Sequence, residues 1–268
     1  MKFTRPNDRI IVALDVPNVR TACETADRLH SLVGGFKMGF ELILATLADL
    51  LSPQSYDSVR AFAALQELSL LVQGKLFLDV KLKDIKNTVE GAARQIARLN
   101  PKSFNLHSDG SFQMMQGAVA AIRAANSTAK VWAVTLLTDM NYTDLDDLED
   151  LPLQPDDSPE IKARVLQTVL RRAARAQRAG LDGVIASAQE ARGIREQCGD
   201  EFEIVTPAIR PLWAAVGDQK RPTTPADAIG AGANYLVIGR PILKPPAEVG
   251  TPERAIELIC EEIEKAAA

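Results

Sequence analysis

Cysteine and histidine are both scarce in this chain, and their scarcity narrows the chemistry open to it. Cys23, Cys198 and Cys260 are the only cysteines in 268 residues, odd in number, widely spaced and without a CxxC pair. The pattern speaks against a disulfide framework and against a zinc site, and reads as buried, reduced thiols. His30 and His107 are the only histidines, which speaks against a histidine-rich metal centre and leaves Lys, Asp and Arg as the chemical actors. His107 itself reads as a loop-orienting or buried polar group. Basic excess is also missing: 31 Lys and Arg stand against 35 Asp and Glu, a formal net charge of -4. No nucleic acid and no anionic membrane surface is therefore expected as a partner. Long apolar runs are absent from the amino terminus, where polar MKFTRPNDR is followed by Ile10 to Leu14. That run is too short for a signal-peptide core or a membrane span, so the expectation is a cytoplasmic protein acting on small solutes.

Core-forming material is plentiful, with 46% hydrophobic and 25% charged residues, an ordinary globular balance. Short apolar runs alternate with longer amphipathic segments. The runs are RIIVALDV (Arg9 to Val16), FKMG (Phe36 to Gly39), KLFLDV (from Lys75), KSFNLH (Lys102 to His107), KVWAVTLL (Lys130 to Leu137), LDGVIAS (Leu181 to Ser187), FEIVTPAI (Phe202 to Ile209) and NYLVIG (Asn234 to Gly239). About eight strands, each followed by helical pattern, predict a single α/β domain, a (β/α)8 barrel over residues 1–268, with a doubly wound open sheet as the alternative. Ser52 to Leu71 interrupts the rhythm with an extra helical stretch, and Tyr142 to Ser158 with an acidic, proline-containing loop. Neither reads as a domain linker, and the Asp144 to Asp150 run reads as a solvated surface.

Charge gathers where strands end. In KLFLDVKLKDIKNT, Lys75 to Thr88, period-two alternation puts Phe77, Asp79 and Lys81 on one face and Leu76, Leu78, Val80 and Leu82 on the other. A poorly solvated acid and base must pair with each other and with further charges, because an unpaired one costs several kcal/mol. Asp15 lies at the end of the first run, Lys37 in the second, Asp79, Lys81 and Asp84 at or after the third, and Thr138 after the fifth. Barrel sites form at these carboxyl ends. The eighth run ends in Gly239 and Arg240, where glycine lets a phosphate approach backbone N–H groups and arginine adds a charge-assisted contact. Arg210 after the seventh run and Gln219 in GDQKRP supply more donors. Taken singly, Asp15 or Asp84 also reads as a helix cap, Arg240 as a surface cation, Gln219 as a turn residue, and Lys81 with Asp79 as a structural ion pair. Their joint placement points to a site.

Seven segments together resemble the orotidine 5'-monophosphate decarboxylase family: ALDV (Ala13 to Val16), FKMG, FLDVKLKDIKNT (Phe77 to Thr88), VTLLT (Val134 to Thr138), TPAIRP (Thr206 to Pro211), GDQKR (Gly217 to Arg221) and VIGRPI (Val237 to Ile242). The DxKxxD core alone is less specific, since related phosphosugar decarboxylases and synthases share it. The resemblance implies loss of carbon dioxide from orotidine 5'-monophosphate to give UMP, with no cofactor and no metal. It implies Lys81 as proton donor in a network of Lys37, Asp79, Lys81 and Asp84. Asp15 and Lys37 would hold the ribose, Thr138 the base, and Arg210, Gln219, Gly239 and Arg240 the phosphate. A homodimer is implied, with Asp84 and Thr88 reaching the neighbouring site. The chain departs from the family's frequent residues at Lys83, Lys86, Asp139 and Ala208. Two other readings remain: a magnesium-dependent phosphosugar enzyme on the same barrel, and a noncatalytic nucleotide-binding barrel.

Overall fold

A computed structural model describes residues 3–51, 55–137, 140, 159–214 and 223–267 of the chain. Eight parallel strands follow one another in sequence order around a closed barrel: β1 (Ile10–Ala13), β2 (Gly35–Met38), β3 (Leu76–Leu82), β4 (Ser103–His107), β5 (Lys130–Val134), β6 (Gly183–Ile185), β7 (Glu203–Thr206) and β8 (Tyr235–Ile238). β8 pairs back onto β1, with Val237 opposite Ile11, and this closure distinguishes the (β/α)8 barrel from an open doubly wound sheet. The helices among the described residues are α1 (Val19–Leu29), α2 (Phe40–Leu50), α3 (Ser55–Leu71), α4 (Lys86–Leu99), α5 (Phe112–Ala124), α6 (Pro159–Arg178), α7 (Ala188–Cys198), α8 (Pro225–Gly230), α9 (Arg240–Leu243) and α10 (Pro252–Ala267). The extra helical stretch is α3, which packs on α1 and α2 and thickens the outer layer. No described helix is long and apolar enough to cross a membrane.

The strands read as continuous apolar runs because both faces are covered. Ile11, Ala13, Phe77, Trp132, Val134, Ile185, Val205, Tyr235 and Val237 fill the barrel interior. Alternate residues such as Ile10, Val12, Leu78, Phe104 and Val184 face the helices. α1 shows how a helix meets this surface. Asn18 caps it by accepting from the Thr21 backbone N–H at 2.9 Å, and Val19, Ala22, Cys23, Ala26 and Leu29 form one buried stripe, the spacing expected of an amphipathic helix.

Large side chains plug the amino-terminal end of the barrel. The Phe77 and Trp132 rings meet edge-on with centroids 5.0 Å apart, and the Trp132 and Tyr235 centroids are 5.6 Å apart. Trp132 Nε1 donates to Glu203 Oε2 at 2.7 Å, and burial pushes the Glu203 carboxyl above its ordinary pKa. The opposite, carboxyl end is where the interior turns polar.

Cys23 and Cys198 are buried free thiols as expected, whereas Cys260 is only partly covered. It lies at the edge of the α10 stripe formed by Ile256, Ile259 and Ile263. Burial lifts the Cys23 and Cys260 thiols to about 11. Thiols held that high are protonated and poorly nucleophilic at neutral pH.

Ala208, on the turn after β7, has φ +63°. A left-handed conformation costs a Cβ-bearing residue about 1–2 kcal/mol, a physical reason for the glycine frequent at this place in the family resembled. Ala208→Gly is expected to raise the unfolding free energy by about 0.5–1 kcal/mol once the greater entropy of the unfolded glycine is subtracted. Urea denaturation measures it, and a destabilised variant would contradict the strain argument.

Candidate active site

At the carboxyl end of β3 the alternation of side chains is broken by the backbone itself. Leu78 pairs with Phe104 and Leu82 with Leu106, so β3 advances four residues while β4 advances two. Lys81 sits in this bulge with φ +43°, a conformation that is strained for a residue with a Cβ. Its backbone N–H donates to Asn105 Oδ1 at 2.7 Å, which anchors the bulge to β4. Bulges of this kind re-aim side chains, and here the Lys81 ammonium is turned onto Asp79.

Asp79 is the hub. Its Oδ1 accepts from Lys81 Nζ at 2.7 Å and from Asn105 Nδ2 at 2.6 Å. Its Oδ2 lies 3.2 Å from Lys37 Nζ, and Lys37 in turn donates to Asp15 Oδ1 at 2.9 Å. The order of charges is Asp15, Lys37, Asp79, Lys81, alternating in sign across three strands. The Asp79 side chain is 10% exposed and that of Lys37 13%, whereas Lys81 keeps 29% and Asp15 51%. The buried centre is thus doubly paired, and the two ends of the row open to solvent.

The electrostatics follow from this order. Burial works against the Asp79 carboxylate, but the ammonium groups of Lys37 and Lys81 and the hydrogen bonds from Lys81 and Asn105 outweigh it, so its pKa falls below the ordinary value. Burial likewise works against the Lys37 ammonium, and the carboxylates of Asp79 and Asp15 outweigh it, so its pKa rises. Both groups stay charged at neutral pH. Gly39 leaves room for them. A Cβ there would stand 2.9 Å from Lys37 Nζ, 3.7 Å from Asp15 Oδ1 and 3.8 Å from Asp79 Oδ2.

Asp84 and Thr88 take no part in this row within the chain. Both are exposed, on the turn after β3 and in the first turn of α4, and Asp84 Oδ1 accepts from the Ile85 backbone N–H at 2.6 Å. Gly239 follows β8 and starts α9. A Cβ on it would be 3.4 Å from Ala13 Cβ and 3.9 Å from Asp15 Oδ2, so its backbone borders the charged row. Arg240 is exposed at the same end of the barrel. Arg210 is buried, 9% exposed, and donates to the Ile209 carbonyl at 2.8 Å. Thr138, Asp139, Gln219 and the acidic Tyr142 to Ser158 loop lie outside the described residues. Among the described residues, no three His, Cys, Asp or Glu side chains converge in a way that could hold a metal ion.

Sequence reasoning gave Asn105 no role. It is fully buried, and its amide bridges the Asp79 carboxylate and the Lys81 backbone. A signal was present: Ser103, Asn105 and His107 put three polar residues at alternate positions of β4, which marks a polar inward face. Asn105→Ala is expected to cost about 1–3 kcal/mol, because a buried carboxylate loses a donor and a buried N–H its acceptor. An unchanged urea midpoint would show that the bridge carries no stability.

Known proteins share the sequence and the fold of this chain. Residues 8–255 match the Orotidine 5'-phosphate decarboxylase / HUMPS family. An orotidine 5'-phosphate decarboxylase of Moorella thermoacetica is 42% identical over 262 residues, covering 96% of this chain and 92% of the relative. That of Trichlorobacter lovleyi is 40% identical over 259 residues, covering 96% and 95%. A crystal structure of orotidine 5'-phosphate decarboxylase from Lactobacillus acidophilus superposes with a TM-score of 0.71 at 29% identity, covering 95% of this chain and 98% of that one. With the match running through all eight strands and the Lys37–Asp79–Lys81 row, this chain belongs to the Orotidine 5'-phosphate decarboxylase / HUMPS family.

Proposed function

We propose that this protein decarboxylates orotidine 5'-monophosphate to UMP and carbon dioxide in de novo pyrimidine biosynthesis, with no metal or organic cofactor, as a cytoplasmic homodimer. The observation that carries the reading is the buried Asp79 carboxylate held between the Lys37 and Lys81 ammonium groups at the carboxyl end of the barrel. Breaking the bond from C6 to the carboxylate releases carbon dioxide and leaves an electron pair on C6, in an orbital that the ring π-system does not readily delocalise. The Lys81 ammonium stabilises that pair and then donates its proton to C6, combining electrostatic stabilisation with general acid catalysis. Asp79 orients the Lys81 side chain through their 2.7 Å contact and faces the substrate carboxylate. Lys37 and Asp15 hold the ribose hydroxyls, and Thr138 contacts the base. Gly239 and Arg240, with Arg210 and Gln219, grip the phosphate, whose binding energy holds the base in register with Lys81.

The dimer brings Asp84 and Thr88 of each chain to the neighbouring site. Supporting it, both residues are exposed, and Ile85 between them is 70% exposed. Phe40, Leu44, Leu47 and Leu51 form an exposed apolar stripe along α2 and its C-cap, a feature that soluble chains usually cover. Phe40 begins that stripe with its ring centroid 5.9 Å from Lys81 Nζ, at the edge of the site.

The test is ultraviolet-monitored loss of orotidine 5'-monophosphate by the purified full chain, with and without EDTA. Conversion to UMP that resists EDTA is the expected result. Conversion abolished by EDTA and restored by magnesium would overturn the metal-free mechanism, and no conversion by folded protein would overturn the substrate.

A further inference from the structure

Three alternate residues, two in β3 and one in the turn after it, are tied to β4 or to the loop that follows it. Asp79 and the Lys81 backbone bind Asn105, as described, and Lys83 Nζ donates to Asp109 Oδ2 at 2.9 Å. The first two ties are buried and build the charged row. The third is at the surface, with side chains 53% and 28% exposed, and a pair in that setting adds little to global stability. Its position is what distinguishes it. Lys83 is the first residue of the three-residue turn between β3 and α4, and Asp84 and Ile85 complete that turn. All three residues are exposed. Among the described residues, Asp84 binds only the next backbone N–H, Lys86 pairs at 3.4 Å with Glu90 of its own helix, and Ile85 offers α4 no side-chain cap. Among the described residues, Lys83 to Asp109 is the one polar side-chain contact between this turn and another element.

Asp109 is well placed to receive it. It follows β4 by two residues, and its carboxyl is kept below the ordinary pKa, since the Lys83 hydrogen bond and charge outweigh burial. The loop that carries it is itself held: Arg175 Nη1 donates to the Ser108 and Gly110 carbonyls, both at 2.8 Å. An anchored acid therefore grips a lysine that directly precedes Asp84 and lies two residues after Lys81.

We propose that Lys83 and Asp109 are a positioning pair that fixes the β3–α4 turn, and with it the direction in which Asp84 is presented relative to Lys81. The pair touches no reacting atom. Its effect on turnover rests on the decarboxylase reading, while its effect on the turn does not. Lys83→Met, Asp109→Asn and the double variant are compared with the full-length wild-type chain in two measurements. In hydrogen–deuterium exchange, the Asp84 and Ile85 amides are expected to exchange about tenfold faster in each variant, as a turn that has lost its tether opens more often. In steady-state kinetics with orotidine 5'-monophosphate, each single variant is expected to lose about tenfold in kcat, and the double variant no more than either single, because the residues act as one unit. KM should change less than kcat, and Lys83→Arg, which keeps the ion pair, should restore turnover. Unchanged exchange in the turn overturns the proposal whatever the substrate. So does a double-variant loss equal to the product of the two single losses. Absence of turnover in the wild type overturns the decarboxylase reading alone and leaves the exchange result to decide the pair.

Discussion

Replacing Lys81 by alanine is expected to lower turnover of orotidine 5'-monophosphate by at least about 10³-fold, because one ammonium group supplies both the charge opposite the developing carbanion and the proton that quenches it. The fold should survive. The Lys81 side chain is 29% exposed, and in its absence Asp79 keeps the Lys37 ion pair and the Asn105 hydrogen bond. Thermal unfolding within a few degrees of wild type and retained binding of UMP would show that loss of rate is not loss of structure. Lys81→Arg should fail as well, since a guanidinium does not surrender its proton near neutral pH and presents a planar fork where a point charge fits. Near-normal turnover in a folded Lys81→Ala protein would remove Lys81 from the mechanism.

Asp79→Asn acts on stability and rate together. It removes the carboxylate that separates two ammonium groups and leaves buried Lys37 with only the half-exposed Asp15. Breaking a buried pair in this way costs about 3–5 kcal/mol, and turnover should fall by about 10²-fold or more as Lys81 loses its orientation. The pH dependence has a definite sign. Asp79 has a lower pKa in the folded chain than its ordinary value, so its stabilisation is fully present above about pH 3.9 and is lost as pH falls through the folded value. Lys37 has a raised pKa, so its share is present below about pH 10.4 and is lost as pH rises through its folded value. The stability gap between wild type and Asp79→Asn should therefore be widest at neutral pH and close under acid. Urea unfolding at several pH values measures it. A gap independent of acid would mean that the charge of Asp79 is not what the fold depends on.

Much of this is legible in the sequence. Each of the eight apolar runs became a strand, most with trimmed ends, while β2 begins one residue before its run and β3 continues two residues past Val80; a parallel barrel buries both strand faces and so writes itself as short apolar runs between helical segments. The extra stretch from Ser52 became α3 from Ser55 onward. Asp79 and Lys81 stood out as charges in an otherwise apolar strand. The strand-end placement of Lys37, Asp15 and Gly239 followed from counting along each run.

Other features were not legible, for identifiable reasons. Period-two alternation puts Lys81 on the Asp79 face by counting alone, but the contact is made through a bulge at φ +43°, and a bulge has no reliable one-dimensional signal when the residue is not glycine. Asn105 looked like one polar residue among several until strand pairing set its amide between Asp79 and the Lys81 backbone. Lys83 and Asp109 lie far enough apart in sequence that only the adjacency of β3 and β4 makes them partners.

The sequence by itself determined the kind of fold and the inventory of charge: hydrophobic periodicity is local, and so is the excess of Asp and Lys at strand ends. Tertiary structure alone decided which charges meet. Parallel pairing sets β1, β2, β3 and β4 side by side, and the low-dielectric interior then forces acid and base into an alternating row, because only paired charges can stay there.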